Sequence, residues 1–478
     1  MSRSSPRGRR IATTSRRRPS PTVTRSGIAA AVLALLAAVA VVTVRPAAGG
    51  DVTGATASGE PVTHLLRVCP DTGARGQGRA RVSVGALPSP DLGDGGTVAV
   101  GPLGEQAATV PLSRGAVEEQ PAARGASTTV KADGEIAAGL FGFRTAGSGA
   151  STTATACPQP RASWWFTGAG ATLDHTSTLV LANADPGPAV VDVRLFGPDG
   201  EIDALGTRGI TIGPGSQRVV DLTDVAPQSD EVAVHVEASR GRVVAAVADS
   251  FATQPGAVPG QGWLPAAERP SRVLRLGGTV GRADERTLVV ANPSDLEALV
   301  ELEVAGPSGR FVPSDLKSVR VAPGTVEVAD ISDVVGSDPE ALQLRSRVPV
   351  VASLRSTRGG DVAYSGAVQP LRAPAAAPVA DTGRTTVLLS GGRLPGRAQV
   401  TAYDEKGRRV GREQVQVPVG ATVESTPKHG AAYVVVEVQE GAVTGAVTYP
   451  GGALTAVPLV GLPLRLRVPA VEPALSER

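Results

Sequence analysis

The sequence predicts an all-β protein in which an N-terminal transmembrane helix precedes three or four tandem immunoglobulin-like β-sandwich repeats. Short segments that alternate apolar and polar residues recur along the chain, as half-buried strands require. Turn residues are abundant, with 58 Gly and 39 Pro among 478 residues. Aromatic residues make up 3% of the chain, and similar segments return at a nearly constant spacing. These observations favour small sandwiches over helical bundles.

The N-terminal 50 residues are basic and include an apolar segment. They contain nine Arg and no acidic residue, whereas the rest of the chain has 38 basic and 45 acidic residues. Residues 1–26 form an Arg-rich arm, and residues 27–44 are uncharged over a length of about 27 Å as a helix. That length just spans a bilayer. Because the Arg residues precede it, the positive-inside rule predicts a cytoplasmic arm, a membrane anchor at 27–44 and an extracytoplasmic C-terminal part.

A cleavable signal peptide is the alternative for the same apolar segment. Ala47, Ala48 and Gly49 provide a small-residue cleavage site, and cleavage there would release a secreted protein. The anchor is favoured because the apolar stretch of a signal peptide is usually about 7 to 15 residues long. Nucleic acid is not an expected partner, since the part beyond the arm is mildly acidic and poor in aromatic residues.

The two cysteines of the chain, Cys69 and Cys157, lie beyond the apolar segment. In an oxidising compartment such a pair predicts a structural disulfide. A metal site would need further ligands, and redox cysteines are normally close in sequence. We therefore expect a spacer at residues 45–60 and a disulfide-bridged β domain at residues 61–160.

Internal similarity divides the remaining chain into copies. Residues 179–183 read LVLAN and residues 288–292 read LVVAN, an offset of 109. Two Gly- and Pro-containing turns that follow keep this offset, and a third, shorter copy begins near Val387. The predicted segments are repeat 1 at 161–255, repeat 2 at 270–360, repeat 3 at 384–468 and a tail at 469–478.

A fainter fourth copy precedes these three. Residues 132–140 resemble residues 239–247, which makes the domain at 61–160 a candidate degenerate repeat. Pro-rich connectors are expected at 254–270 and 372–380, and sandwiches joined in series predict a rod-like molecule. A β-propeller is the main alternative, but its blades of about 40 to 50 residues are half the length of these copies.

Motifs of common enzyme classes are missing from the sequence. The four His residues are isolated and give no zinc-binding spacing, and neither GxSxG nor a complete dinucleotide fingerprint occurs. We therefore expect no catalytic residues, no metal and no cofactor. An enzyme assembled from Asp and Glu residues scattered over the copies is the least favoured hypothesis.

Trp164, Trp165 and Trp263 are the candidate contacts for a partner or a glycan, because the chain has few other aromatic residues. Adjacent side chains of a strand face opposite sides, so one of Trp164 and Trp165 is expected in the core. The other is expected either under a neighbouring domain or exposed as a binding platform. Asn183 and Asn292, the only Asn residues, end corresponding strands and predict structural hydrogen bonds to the turns beyond them.

In order, the Arg-rich arm, the Ala-rich anchor, the Cys-Pro pair and the segments at 164–168 and 179–183 resemble an actinobacterial envelope family classified as a domain of unknown function. This resemblance implies an exported, membrane-tethered protein and supplies no active site. The expected function is a non-enzymatic extracytoplasmic scaffold or adaptor of the cell envelope, with envelope proteins or cell-wall glycans as partners. The alternative is a carbohydrate- or peptidoglycan-binding protein that supports envelope glycan assembly.

Overall fold

The computed structural model describes residues 59–72, 80–122, 125–147, 153–336, 338, 340–379, 385–449 and 454–467. A single compact unit, Glu60–Leu466, contains nearly all of them. This unit is all-β, in agreement with the sequence prediction. The predicted anchor at 27–44 lies outside the described residues, and no helix within those residues has the length and apolar character needed to cross a bilayer.

The first sandwich spans residues 64–156. The N-terminal strands are β1 (Gly59–Pro61), β2 (His64–Cys69), β3 (Arg81–Ala86), β4 (Gly95–Pro102), β5 (Ala108–Ser113), β6 (Val117–Pro121), β7 (Thr128–Asp133), β8 (Leu140–Ala146) and β9 (Thr153–Ala156), with a 3-10 turn at Glu135–Ala137. One sheet has the order β2-β7-β4-β5 and the other has the order β6-β3-β8-β9. Both sheets contribute apolar side chains to one core, including Val82, Val130 and Leu140.

The second sandwich spans residues 163–263. Its elements are β10 (Ser163–Ala169), β11 (His175–Asn183), β12 (Ala189–Gly197), β13 (Gly200–Ile202), β14 (Ile210–Ile212), β15 (Ser216–Asp221), the short helix α1 (Leu222–Val225), β16 (Val232–Arg240), β17 (Val244–Phe251) and β18 (Gly260–Trp263). The sheets are β10-β16-β12-β13, with β14 also on β12, and β15-β11-β17-β18. Trp164, Leu179 and Val234 lie in the core between them.

The third sandwich spans residues 271–366. Its strands are β19 (Ser271–Leu276), β20 (Glu285–Ala291), β21 (Ala298–Gly306), β22 (Gly309–Phe311), β23 (Ser318–Val321), β24 (Val326–Asp330), β25 (Ala341–Arg358) and β26 (Asp361–Gly366). The 18-residue strand β25 belongs to both faces. Its first part pairs with β19 and β21, and its second part pairs with β20 and β26.

The fourth sandwich spans residues 375–458. Its strands are β27 (Ala375–Pro378), β28 (Thr386–Gly391), β29 (Gly396–Tyr403), β30 (Arg409–Val417), β31 (Thr422–Ser425), β32 (Tyr433–Glu440), β33 (Val443–Thr448) and β34 (Ala456–Pro458), followed by β35 (Arg465–Arg467). The sheets are β27-β32-β29-β30 and β31-β28-β33-β34. β35 returns to pair with β1.

The four sandwiches share one strand order. In one sheet, the corresponding triplets are β2-β7-β4, β10-β16-β12, β19-β25-β21 and β27-β32-β29. In the other sheet they are β3-β8-β9, β11-β17-β18, β20-β25-β26 and β28-β33-β34. The predicted strands at 190–195, 298–304 and 398–403 lie within β12, β21 and β29, and most of their residues alternate between buried and more exposed positions. The alternation of apolar and polar residues in the sequence therefore identifies these strands correctly.

The sandwiches close into a ring within Glu60–Leu466. The last strand of each sandwich lies against the last strands of its two neighbours, so that β9 contacts β18, β18 contacts β26, β26 contacts β34, and β34 contacts β9. The fourth sandwich meets the first where Val117 N donates to Glu405 O at 2.9 Å and where Phe141 lies 5.2 Å from Tyr433 between ring centroids. The expectation of a rod is wrong, because Phe141 and Phe143 of β8 lie in a core shared with the fourth sandwich.

Two segments expected to be connectors contain strands. Within 254–270, Gly260–Trp263 forms β18 and pairs with β17. Within 372–380, Ala375–Pro378 forms β27 and pairs with β32. Ala375, Ala376 and Ala377 are buried there, because their small side chains fit at a crowded sheet edge. The composition of this segment predicts a linker, but its burial and its pairing with β32 make it a strand.

Candidate functional site

The candidate site is a cluster of polar side chains at the seam between the second and third sandwiches. Its residues come from the start of β11, the loop before β16, the end of β17, and the neighbouring strands β25 and β26 of the third sandwich. The side chains are His175, Ser177, Asp230, Glu231, Asp249, Arg355 and Tyr364. We call this set the seam cluster. All of its side chains except that of Asp230 are buried.

His175 lies at the centre of the seam cluster between two carboxylates. Its Nδ1 is 3.0 Å from Oδ1 of Asp230, and its Nε2 is 3.2 Å from Oδ1 of Asp249. The imidazole is buried, whereas 64% of the Asp230 side chain is exposed. Its edge also meets the ring of Phe251, at 5.0 Å between centroids. The histidine therefore joins a solvent-facing acid to an enclosed one.

Asp249 is the enclosed acid, with a side chain of 0% exposure. Ser177 donates a hydrogen bond to Oδ1, and the hydroxyl of Tyr364 donates one to Oδ2. Tyr364 belongs to β26, so this second bond crosses from one sandwich to the next. A buried carboxylate needs such donors because hydrogen bonds replace its lost hydration.

Glu231 and Arg355 form a second link across the seam. An Nη of Arg355 on β25 pairs with Oε1 of Glu231, and both side chains are about nine-tenths buried. The guanidinium also lies over the ring of Phe251, 4.0 Å from its centroid. Glu231 adopts a left-handed backbone with φ 55, which is uncommon for a residue other than Gly. This bend brings the carboxylates of Asp230 and Glu231 to the same side of the loop as His175.

The carboxylates shift the pKa values of their neighbours. Burial opposes a charge on His175, but hydrogen bonds with Asp230 and Asp249 outweigh it and raise the pKa of His175 to about 9. The hydrogen bond from His175 in turn lowers the pKa of Asp230. Burial and the Asp249 carboxylate raise the pKa of Tyr364 well above its ordinary value, so the phenol stays protonated and continues to donate. At neutral pH, in the absence of a bound ion, a pKa of about 9 keeps His175 protonated between Asp230 and Asp249.

A glycine makes room for the histidine ring. A Cβ placed on Gly170 would lie 2.2 Å from Cγ of His175, so no other residue fits there. The backbone N–H of Gly170 donates to Oγ of Ser177 at 2.9 Å. The close approach fixes both side chains beside Asp249.

The arrangement differs from a nucleophilic triad although it contains Ser, His and Asp. Ser177 donates to the carboxylate of Asp249 instead of to the imidazole of His175, so no base activates its oxygen. His175, Ser177 and Asp249 are all buried. The same cluster does offer metal ligands, since His175, Asp230 and Glu231 each place one ligand atom within 4.8 Å of the others.

Cys69 and Cys157 form the predicted disulfide. The bond joins the end of β2 to the residue after β9, and both half-cystines are buried. Arg67 supports the same corner by donating to the carbonyl oxygens of Leu140 and Cys157, at 2.9 and 3.0 Å. The cystine therefore links the two sheets of the first sandwich.

Trp164 and Trp165 face opposite sides of β10, as the strand period predicts. Trp164 is fully buried in the core of the second sandwich, and its Nε1 donates to Val243 O at 3.0 Å. Trp165 is 5% exposed and lies against Val289 and Val351 of the third sandwich. Of the two alternatives expected for the outward ring, the structure therefore shows coverage by the neighbouring sandwich and not an exposed platform.

Trp263 is partly buried at the end of β18. The guanidinium of Arg144, from the first sandwich, lies 5.9 Å from its ring centroid. Of the three tryptophans, Trp263 alone retains appreciable solvent contact. The structure brings none of the three into the seam cluster.

The seam cluster was not found from the sequence. His175 is 55 residues from Asp230 and 74 residues from Asp249, so no short motif joins them. Tyr364 is a further 115 residues from Asp249 and lies in the next sandwich. The one local signal is the adjacent pair of acids at Asp230 and Glu231, which is too common to indicate a site.

Comparison with known families identifies one match for the chain. A search of curated proteins finds no match to the chain. A family model described as a family of unknown function, DUF5719, matches residues 116–428, from β6 of the first sandwich to the loop before β32 of the fourth. Since this match covers more than half of the sequence, the chain belongs to the family DUF5719.

Proposed function

We propose that the protein is a non-enzymatic, membrane-anchored scaffold or adaptor of the bacterial cell envelope, held outside the membrane by residues 27–44. The observation that carries this proposal is that the reactive side chains of the seam cluster are mostly buried and hydrogen-bonded to one another. His175, Ser177 and Asp249 are buried and bond to one another within the second sandwich, and Tyr364 of the third sandwich donates to Asp249 across the seam. Groups that could perform chemistry on an open surface here join the second sandwich to the third.

A tandem-repeat origin supports a scaffolding role. We propose that the four sandwiches are copies of one immunoglobulin-like unit, with the first as the degenerate copy. The common strand order and the offset of 109 residues between similar segments support this. Tandem sandwiches present several loops and sheet edges from one stable frame, as binding scaffolds require.

The N-terminal sequence supports the envelope location. The Arg-rich arm and the uncharged segment at 27–44 fit an anchor with the C-terminal part outside. The cystine at Cys69 and Cys157 agrees with an oxidising compartment. The resemblance to an actinobacterial envelope family supports the same location.

Cell fractionation tests the location and the role together. A C-terminally tagged full-length protein should stay with the membranes, should be cut by external protease once the wall is removed, and should crosslink to envelope proteins. A form cleaved near Gly49 in the culture medium would overturn the anchor. Turnover of an envelope substrate by the purified protein, abolished by point substitutions, would overturn the non-enzymatic role.

Glycan binding is the second candidate, and the partial exposure of Trp263 favours it. A Trp263→Ala protein should lose binding to cell-wall glycan if this ring contributes a sugar-stacking surface. Trp164→Ala is an unsuitable control because that side chain supports the core. Phe311→Ala offers a better one, since Phe311 is an exposed aromatic side chain on another sandwich.

A further inference from the structure

We propose that His175, Asp230 and Glu231 form a binding site for a divalent transition metal of the Zn²⁺ type. One ligand atom from each residue lies within 4.8 Å of the other two. An imidazole nitrogen with two carboxylates is a donor set that suits Zn²⁺. The site extends the role of the seam cluster and does not depend on the scaffold proposal.

An unsatisfied carboxylate oxygen supports the site independently of this spacing. Glu231 is 7% exposed, and its Oε1 pairs with Arg355. Its Oε2 is buried and has no hydrogen-bond partner within the described structure. Buried polar atoms are rarely left unpaired, because the lost hydration costs free energy. A bound cation beside His175 would satisfy this oxygen.

The imidazole is oriented for metal binding by a second carboxylate. Nε2 of His175 faces Oδ1 of Asp249, whereas Nδ1 faces Asp230. A proton held on Nε2 and donated to Asp249 leaves the Nδ1 lone pair directed towards the proposed ion. Metal-binding histidines in proteins usually donate their other ring N–H to a carboxylate in this way. Ser177 and Tyr364 fix that carboxylate in turn.

Charge and access also fit a divalent cation. Zn²⁺ would displace the Nδ1 proton of His175, and the carboxylates of Asp230, Glu231 and Asp249 with the guanidinium of Arg355 would then sum to −2, which one divalent ion neutralises. Asp230 has 64% of its side chain exposed, so an ion can approach from solvent along this residue. Three protein ligands leave the fourth tetrahedral position to a water molecule.

The site would fasten the loop before β16 to the strand β11. Asp230 and Glu231 belong to that loop, and His175 is the first residue of β11. Since Glu231 also pairs with Arg355 on β25, the metal would strengthen the seam between the second and third sandwiches.

Zinc titration of the full-length protein tests the assignment. After treatment with a chelator, calorimetric titration with ZnCl₂ should show one equivalent bound with a Kd of about 1 μM or tighter, together with a raised Tm. Asp230→Asn should weaken Zn²⁺ binding at least tenfold. Because this side chain is mostly exposed, the variant should still fold, but loss of the charged partner of His175 should lower its metal-free Tm, so the Zn²⁺ affinity and not the Tm is compared between the two proteins.

A second His–Asp pair provides the matched control. His64 and Asp133 lie 2.6 Å apart on the surface of the first sandwich, outside the seam cluster. Asp133→Asn should leave Zn²⁺ affinity unchanged. The proposal is overturned if the wild-type protein takes up no Zn²⁺, if Asp230→Asn binds it as tightly as the wild type, or if Ca²⁺ binds with equal affinity.

Discussion

Asn183 and Asn292, which lie 109 residues apart, make the same hydrogen bonds in successive sandwiches. Each side-chain amide donates to three carbonyl oxygens at 2.7–3.2 Å, those of Gly187, Ile212 and Gly213 for Asn183 and those of Leu296, Val321 and Ala322 for Asn292. Every pair of corresponding partners keeps the offset of 109. Both side chains are fully buried, so each ties the end of a strand to the turn beyond it and to a neighbouring strand.

Asn183→Ala should destabilise the second sandwich by about 1–3 kcal/mol, because the buried carbonyl oxygen of Ile212 and the partly buried bonds to Gly187 and Gly213 lose their donor. The free energy of unfolding in urea, followed by tryptophan fluorescence, measures the change. Asn292→Ala should cost a similar amount in the third sandwich. Ser216→Ala is the control, since this exposed hydroxyl bonds only to Pro214 O, at 3.2 Å. A loss below about 0.5 kcal/mol in Asn183→Ala would contradict the structural role.

The features predicted correctly from the sequence depend on the two-residue alternation of a strand, on the one pair of cysteines and on the preferences of single residue types. The alternation that places Trp164 and Trp165 on opposite faces is a property of any strand. The Cys69–Cys157 bond follows from the presence of two cysteines in a chain that is expected to be exported. The role of the two Asn residues in turns follows from the residue type and position.

The features that were missed depend on contacts between distant parts of the chain. Tyr433 donates to the carbonyl oxygen of Gly115 over a separation of 318 residues, and no local pattern encodes this closure of the ring. The seam cluster likewise joins His175 to residues from other strands and another sandwich. The Ala-rich segment at 375–378 reads as a linker because small side chains do not show a strand period.

Removal of the Tyr364 hydroxyl should weaken the seam. In Tyr364→Phe, Oδ2 of the buried Asp249 carboxylate loses its donor, and we expect a loss of about 2–3 kcal/mol because hydrogen bonds to charged groups are the stronger ones. Thermal unfolding of the full chain measures it. Tyr449→Phe is a matched control, since the buried Tyr449 hydroxyl donates to a neutral acceptor, Pro378 O, at 2.7 Å. Equal losses in the two variants would argue against a charged acceptor at the seam.

Stability should fall in mild acid through His235. This ring stacks on Trp165 at 3.9 Å, and burial together with the nearby charge of Arg194 lowers the pKa of His235 from 6.5 to about 4. The unfolded chain takes up a proton below pH 6.5, whereas the folded chain does not until about pH 4. Stability contributed by neutral His235 is therefore complete above pH 6.5 and is lost between 6.5 and 4, by an amount of order 2 kcal/mol.

Unfolding in urea at several pH values between 4 and 7.5 measures this slope. His235→Gln should reduce the slope, because Gln cannot take up the proton in the unfolded chain. His64→Gln should keep it, since His64 is exposed on another sandwich. An unchanged slope in His235→Gln would exclude the histidine as its source.

Loss of the disulfide should destabilise the first sandwich. The bond closes a separation of 88 residues, for which the chain-entropy model gives a contribution of roughly 4–5 kcal/mol. The double change Cys69→Ser and Cys157→Ser should therefore lower the Tm and accelerate amide exchange in β2 and β8. Reduced wild-type protein should behave in the same way. If the double variant kept the exchange protection of the wild type, the bond would carry little of the stability of this sandwich.

Ring closure can be tested with two adjacent side chains of β8. Leu140 points into the core of the first sandwich, whereas Phe141 points into the core shared with the fourth. Leu140→Ala and Phe141→Ala should each cost about 3–5 kcal/mol, because both side chains are buried. Only Phe141→Ala should increase amide exchange in β32, where its partner Tyr433 begins the strand. If the first and fourth sandwiches made no contact, both substitutions would increase amide exchange in the first sandwich alone. The exchange pattern therefore distinguishes a ring from a rod.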